Sequence, residues 1–157
     1  MVLAVMIGRA LMSLGMISID YDCVAEHLAK SEIRRREGLK LDNYVCSSGY
    51  RTVGYGHVGI EDRIHSLTAE YYLEREYNYY SVMTELLIGH KNAGITLFLY
   101  GLSSKGIREF RRSDVLACIL DGTDPWVYWR QWGISGASNE TIERIRKREY
   151  DIYKINL

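Results

Sequence analysis

The stretch from Glu37 to His57, EGLKLDNYVCSSGYRTVGYGH, holds the residues best suited to chemistry. A glutamate closes a helix-like run and leads at once into a glycine-rich segment. That order sets a carboxylate at the edge of a small sheet, beside backbone that glycine allows to approach a ligand closely. A carboxyl so placed can donate a proton, provided that partial burial keeps it protonated near neutral pH. Tyr44, Tyr50 and Tyr55 add flat faces of the kind on which sugars stack, although packing alone accounts for most of the 13 tyrosines. Taken singly, Glu37 also reads as an exposed helix-end carboxylate, Thr52 as a plain strand residue and Cys46 as a small buried hydrophobe.

The surrounding elements must hold this segment in place. Val24, Ala25, Leu28, Ala29 and Ile33 recur at helical spacing, which predicts a helix from about Asp22 to Glu37. Asp20 or Asp22 can cap its start, and Gly38 follows its end. From Leu39 to His57 short apolar and aromatic residues alternate with Ser47-Ser48-Gly49, Gly54 and Gly56, so short strands joined by a tight turn are expected. A long helix follows over about Leu67 to Leu87, with Leu73, Tyr77, Tyr80 and Leu87 on one face and Ser66 or Thr68 as cap. After His90-Lys91-Asn92 the pattern predicts short helices over about Ala93 to Tyr100, Ser113 to Leu120, Pro125 to Gln131 and Asn139 to Tyr153. Pro125 suits a first turn, with Thr123 or Asp124 as its cap. The expected architecture is α+β: a small lobe with a short β-sheet, a long connecting helix and a helical C-terminal lobe. A cleft between two such lobes suits an extended polymer.

Composition sets limits on function. The 157 residues are 47% hydrophobic and 25% charged, with basic and acidic side chains balanced at 20 each. This is one globular domain with no global field to attract nucleic acid. Arg34-Arg35-Arg36 and the group Arg144, Arg146, Lys147 and Arg148 are local basic patches, suited to an anionic polymer or simply solvated helix faces. The three cysteines (Cys23, Cys46, Cys118) and four histidines (His27, His57, His65, His90) have no metal-ligand spacing, so no metal or cofactor is expected. Residues 1–21 form an apolar extension before a domain spanning 22–157. The first nineteen residues, MVLAVMIGRALMSLGMISI, carry Arg9 as their only charge and lack a basic start, so a standard signal peptide fits poorly. Three readings stay open: an extra packed helix, sequence upstream of a start at Met12 or Met16, or a membrane anchor, in which Arg9 costs a few kcal/mol.

The Glu37–His57 stretch resembles the phage-type lysozymes of glycoside hydrolase family 24. Their catalytic lobe opens with Glu-Gly-Leu-x-Leu, a Tyr, then Thr-[Ile/Val]-Gly-[Tyr/Ile]-Gly-His, matched here by Glu37 to Leu41, Tyr44, and Thr52 to His57. The family signature of Glu, eight residues, Asp or Cys, five residues, Thr is matched by Glu37, Cys46 and Thr52. The resemblance continues through Leu67-Thr68-Ala69-Glu70, then Gly106, Phe110, Arg112-Ser113 and Val115-Leu116. It closes with Trp132, Ile142, Arg146 and Glu149. Ser104 stands where the family usually has Asn, and Ile145 replaces the first arginine of a closing pair.

The resemblance implies a lysozyme-like fold and a muramidase that hydrolyses the β-1,4 linkage between N-acetylmuramic acid and N-acetylglucosamine in peptidoglycan. Glu37 would be the general acid, while Cys46 and Thr52 position water or Cys46 attacks covalently. Tyr44, Gly54, His57, Ser104 and Arg146 would contact substrate, with Arg146 or Arg144 reaching Glu37 from the closing helix. A monomer made in a host cytoplasm and acting on the periplasmic wall is expected, with transient membrane association through residues 1–19. Some related phage enzymes are held on the membrane by a signal-arrest segment and exchange disulfides with the catalytic cysteine; Cys23 and Cys46 raise that prospect here. A non-catalytic peptidoglycan-binding or interaction protein on the same fold, a lytic transglycosylase and, more remotely, a cysteine protease using Cys46 and His57 are the competing readings.

Overall fold

The computed structural model describes residues 19–46, 49–134 and 136–157. The expectations for residues 1–18 lie outside the described residues. Helix α1 (Tyr21–Glu37) starts where the Asp20 side chain accepts a hydrogen bond from the Cys23 amide at 3.0 Å. It buries Ala25, Ala29, Glu32 and Ile33, one face at helical spacing, and stops at Gly38, whose φ of 65° suits glycine.

Three antiparallel strands follow in the order β1 (Lys40–Val45), β2 (Arg51–Gly54) and β3 (His57–Val58). Lys40 pairs with Gly54 and Tyr44 with Thr52, so β1 carries extra residues in a bulge between Lys40 and Tyr44. The 62–64 segment returns along β1, where Asp62 O accepts from the Asn43 amide and Leu41 O from the Ile64 amide, each at 2.9 Å.

Helix α2 (Ser66–Ile88) connects the lobes. Its cap position is His65, without a side-chain bond, which corrects the expected caps Ser66 and Thr68. Of its expected face, Leu73 and Tyr77 pack against α1, while Tyr80 and Leu87 pack into the aromatic C-terminal core. Among the described residues no helix is long and apolar enough to cross a membrane.

The central element is α3 (Ala93–Tyr100), buried from Ala93 to Leu99. The Asn92 carboxamide caps it, accepting from the Gly94 and Ile95 amides at 3.0 and 3.1 Å and donating to Tyr153 O at 3.1 Å. Four helices follow: α4 (Ser104–Phe110), α5 (Asp114–Asp121), α6 (Trp126–Trp129) and α7 (Asn139–Tyr153), with a 3-10 turn over Lys154–Asn156. Helix α4 is absent from the sequence expectation because only Phe110 of its seven residues is buried, leaving no apolar period to read. The α6 helix is shorter than expected; Pro125 sits at its cap position, and Asp124 accepts from the Trp126 amide at 2.8 Å.

Helix α3 packs against α1, α2 and α7. On one side lie Ala25, Ala29, Ile33, Leu97 and Ile152; on the other, Phe98 meets Phe110, Trp129 and Trp132 at ring-centroid distances of 5.0–5.5 Å. The α3–α7 approach requires Gly94, since a Cβ there would lie 2.6 Å from Glu149 O and closer still to the Tyr153 amide nitrogen and Cα. These are backbone atoms that cannot swing aside. Gly94→Ala is therefore expected to destabilise the fold by about 3 kcal/mol through overpacking. Urea unfolding checks this, and an unchanged midpoint would refute the tight contact.

Candidate active site

Glu37 is the last residue of α1, and Gly38 turns the chain directly into β1. The β2–β3 turn folds back over it. A Cβ on Gly56, whose φ is 93°, would lie 3.3 Å from Glu37 Oε2, so only glycine lets this turn sit flush against the carboxyl. Tyr100, at the end of α3, supports the same turn by donating to Tyr55 O and to Glu76 Oε2, each at 3.3 Å. Glu37 keeps one side open to solvent, yet burial is the largest influence on its carboxyl and pushes its pKa up. The positive charges of Arg36 and Lys40 pull the other way without overcoming it.

Across the hairpin, Cys46 and Thr52 meet around one carbonyl. Tyr50 O accepts from the Cys46 amide at 2.9 Å and from the Thr52 hydroxyl at 3.0 Å. Thr52 is buried and pairs with Tyr44 in the ladder, while the Cys46 side chain is half-buried. The Tyr44 hydroxyl titrates high, chiefly through burial, with negative charge on Glu37 and Cys46 adding to the effect. Tyr44 thus lies within electrostatic reach of both groups, and Lys40 stands over its ring at 3.8 Å. No disulfide joins Cys23, Cys46 and Cys118.

The remaining expected site residues have different surroundings. His57 Nδ1 pairs with the Glu76 carboxylate, and its ring lies 4.0 Å from that of Tyr72, which ties the hairpin to α2. Gly54 is buried: a Cβ there would lie 3.2 Å from Ala69 Cβ, so its role is close backbone packing against α2. Ser104 is exposed in the first turn of α4, and the neighbouring Ser103 provides the cap.

Arg146 is 2% exposed and donates to Glu149 Oε2 at 2.6 Å and to Trp132 O at 3.1 Å, with its guanidinium 4.4 Å from the Phe98 ring. The expected bond from Arg146 or Arg144 to Glu37 is thereby corrected: Arg146 is committed to Glu149, and the cations acting on Glu37 are Arg36 and Lys40.

The sequence reading missed the network beneath Glu37. Glu149, fully buried, also accepts from Arg36 at 2.7 Å and from Trp129 Nε1 at 3.3 Å. Glu32 accepts from Arg35, Arg36 and Arg148 at 2.6–3.0 Å. Arg34 instead binds Glu70 on α2 at 2.6 Å. The run 34–36 is therefore a cross-linking element rather than a solvated basic face. Glu32, placed three and four residues before Arg35 and Arg36, was the available signal.

No known protein family matches the chain by sequence, and no curated protein does. Among solved structures, the chain is similar to an endolysin from Escherichia coli O157:H7 phage FAHEc1, with a TM-score of 0.64, 21% identity, and coverage of 83% of this chain and 92% of the other. It is similar to a P22 lysozyme variant, at 0.65 and 17%, over 80% of this chain and 94% of the other. It is similar also to the muramidase domain of SpmX from Asticaccaulis excentricus, at 0.62 and 20%, over 80% and 93%. The fold is that of the phage-type lysozymes, α+β with a small sheet hairpin and a helical lobe.

The buried ion pairs have a pH signature. Burial alone would raise the Glu32 pKa, but hydrogen bonds and charge from Arg35 and Arg36 overcome it and hold the carboxyl down to about 2 from 4.5. A depressed folded-state pKa contributes stability that is complete above about pH 4.5 and lost as pH falls toward 2. Thermal unfolding midpoints are expected to drop over this window, and Glu32→Gln should flatten the drop. An equal acid slope in both proteins would assign it to other groups.

Proposed function

We propose that this chain is a peptidoglycan hydrolase of the muramidase kind, cleaving the β-1,4 linkage between N-acetylmuramic acid and N-acetylglucosamine. The observation that carries the reading is Glu37 itself: a carboxyl at a helix end, pressed against the Gly56 turn and raised in pKa by burial, in a phage-type lysozyme fold. Protonated Glu37 donates its proton to the glycosidic oxygen as the bond breaks, and oxocarbenium character develops on the departing sugar. Water attacks the far face, positioned by Thr52 and Cys46 around the hairpin turn; direct attack by the Cys46 thiolate is the covalent alternative. The substrate is the glycan strand of the periplasmic wall, reached by a monomer made in a host cytoplasm.

A thiol rather than a carboxylate at position 46 favours one second reading, a lytic transglycosylase, which needs a single carboxyl and forms an anhydro sugar. Product masses separate the two, because hydrolysis adds one water.

Glu37→Gln should slow clearing of purified peptidoglycan by at least about a hundredfold, the usual contribution of a positioned acid. Equal clearing by both proteins rejects the assignment. Because the acid must be protonated, wild-type activity should fall as pH rises through a pKa above the ordinary 4.5, which a pH–rate profile reads directly. Cys46→Ala is expected to lower the rate about tenfold or more if the thiol positions water or attacks. Wild-type clearing by that variant removes Cys46 from the mechanism.

A further inference from the structure

Beside Glu37, between the end of α1 and the facing side of α7, lies a cavity of about 350 Å³. Its charged lining is Arg35, Arg36, Glu37, Arg144, Arg146 and Glu149. These cations are unequally committed. Arg36 and Arg146 share Glu149, and Arg35, Arg36 and Arg148 share Glu32. Leaving Glu37 aside, five guanidinium groups at this corner are balanced by two carboxylates. Part of the surplus lies with the four that share, and part on the rim, where Arg144 is exposed and paired with no carboxylate among the described residues.

The inner wall is therefore rigid and its hydrogen bonds are used, whereas the mouth presents an uncommitted planar fork. Such a fork matches a carboxylate, which it can hold through two parallel hydrogen bonds. The volume is at the small end for ligand sites, enough for part of a branch but not for a polymer running through it. Because Glu37 itself lines the cavity, a glycan strand whose scissile bond lies at Glu37 has its nearby substituents within reach of this opening.

We infer that the cavity is a subsite for a carboxylate of the peptide borne by the glycan strand, received by Arg144. This deepens the muramidase reading and rests on it. The exposed rim makes the attraction sensitive to ionic strength.

The test is an NMR titration of the full chain and its Arg144→Gln variant with two soluble ligands, a peptide-bearing disaccharide of the wall and the same disaccharide with its peptide removed. The wild type should bind the peptide-bearing ligand about tenfold more tightly, the scale of one charge-assisted contact. That preference should shrink with added salt, and Arg144→Gln should bring it within about twofold of none. Equal affinities in the wild type, no binding of the peptide-bearing ligand, or a preference retained by Arg144→Gln would each overturn the subsite. Binding is read without turnover. A preference dependent on Arg144 in a protein that clears no peptidoglycan would defeat the muramidase reading and leave the subsite; clearing without the preference would do the reverse.

Discussion

Everything at the candidate site depends on one buried carboxylate, Glu149. It is fully buried on α7 and receives Arg36 from α1, Arg146 from its own helix and the Trp129 indole. Two guanidinium groups on one carboxylate would leave a surplus charge in the interior. Glu32 offsets part of it by binding Arg36 from the other side. An arrangement of this kind adds little net stability over an apolar core of the same shape, because desolvation offsets most of the attraction. What it supplies is direction. The end of α1 is held against α7 in one register, and Glu37 is the residue immediately after Arg36.

The electrostatic condition of Glu37 follows from that placement. Proton donation near neutral pH needs a carboxyl that resists ionisation, yet Glu37 follows three arginines and precedes Lys40. Arg34, Arg35 and Arg36 are paired with Glu70, Glu32 and Glu149, and of the three it is Arg36 that still pulls on the Glu37 carboxyl. Burial under the Gly56 turn then prevails. The hairpin can press so closely because β2 packs its own glycine, Gly54, onto Ala69 of α2, and because His57 is held by Glu76. The sheet, the connecting helix and the α1–α7 clasp thus act on a single carboxyl from three sides.

Much of the site was legible from residue types alone. Glu37 before a glycine, and the glycines at 54 and 56, announced a carboxylate facing a tight hairpin. The long α2 and the α3 helix followed from apolar spacing, whereas the Asn92 cap of α3 was read only as part of a break. The basic run was misread for a tertiary reason. Arg34-Arg35-Arg36 looked like a solvated run because their partners are far apart in the chain: Glu70 lies 36 residues from Arg34, and Glu149 lies 113 residues from Arg36. Ser104 and Arg146 were assigned to substrate by position in a pattern; in the fold Ser104 is exposed and Arg146 is bonded to Glu149. Helix α4 escaped notice because a seven-residue helix with one buried side chain leaves no period to read.

The sequence by itself determined local matters: where helices start and stop, which stretch forms the hairpin, and which carboxyl stands at its edge. These are set by backbone preference and apolar spacing within a few turns of chain, and they act wherever the chain lies. Only the tertiary structure decided which arginines beside Glu37 are spent on carboxylates, and whether burial or charge governs Glu37. Those outcomes depend on distances between α1, α2 and α7, and electrostatic energy depends on separation and burial, not on order along the chain.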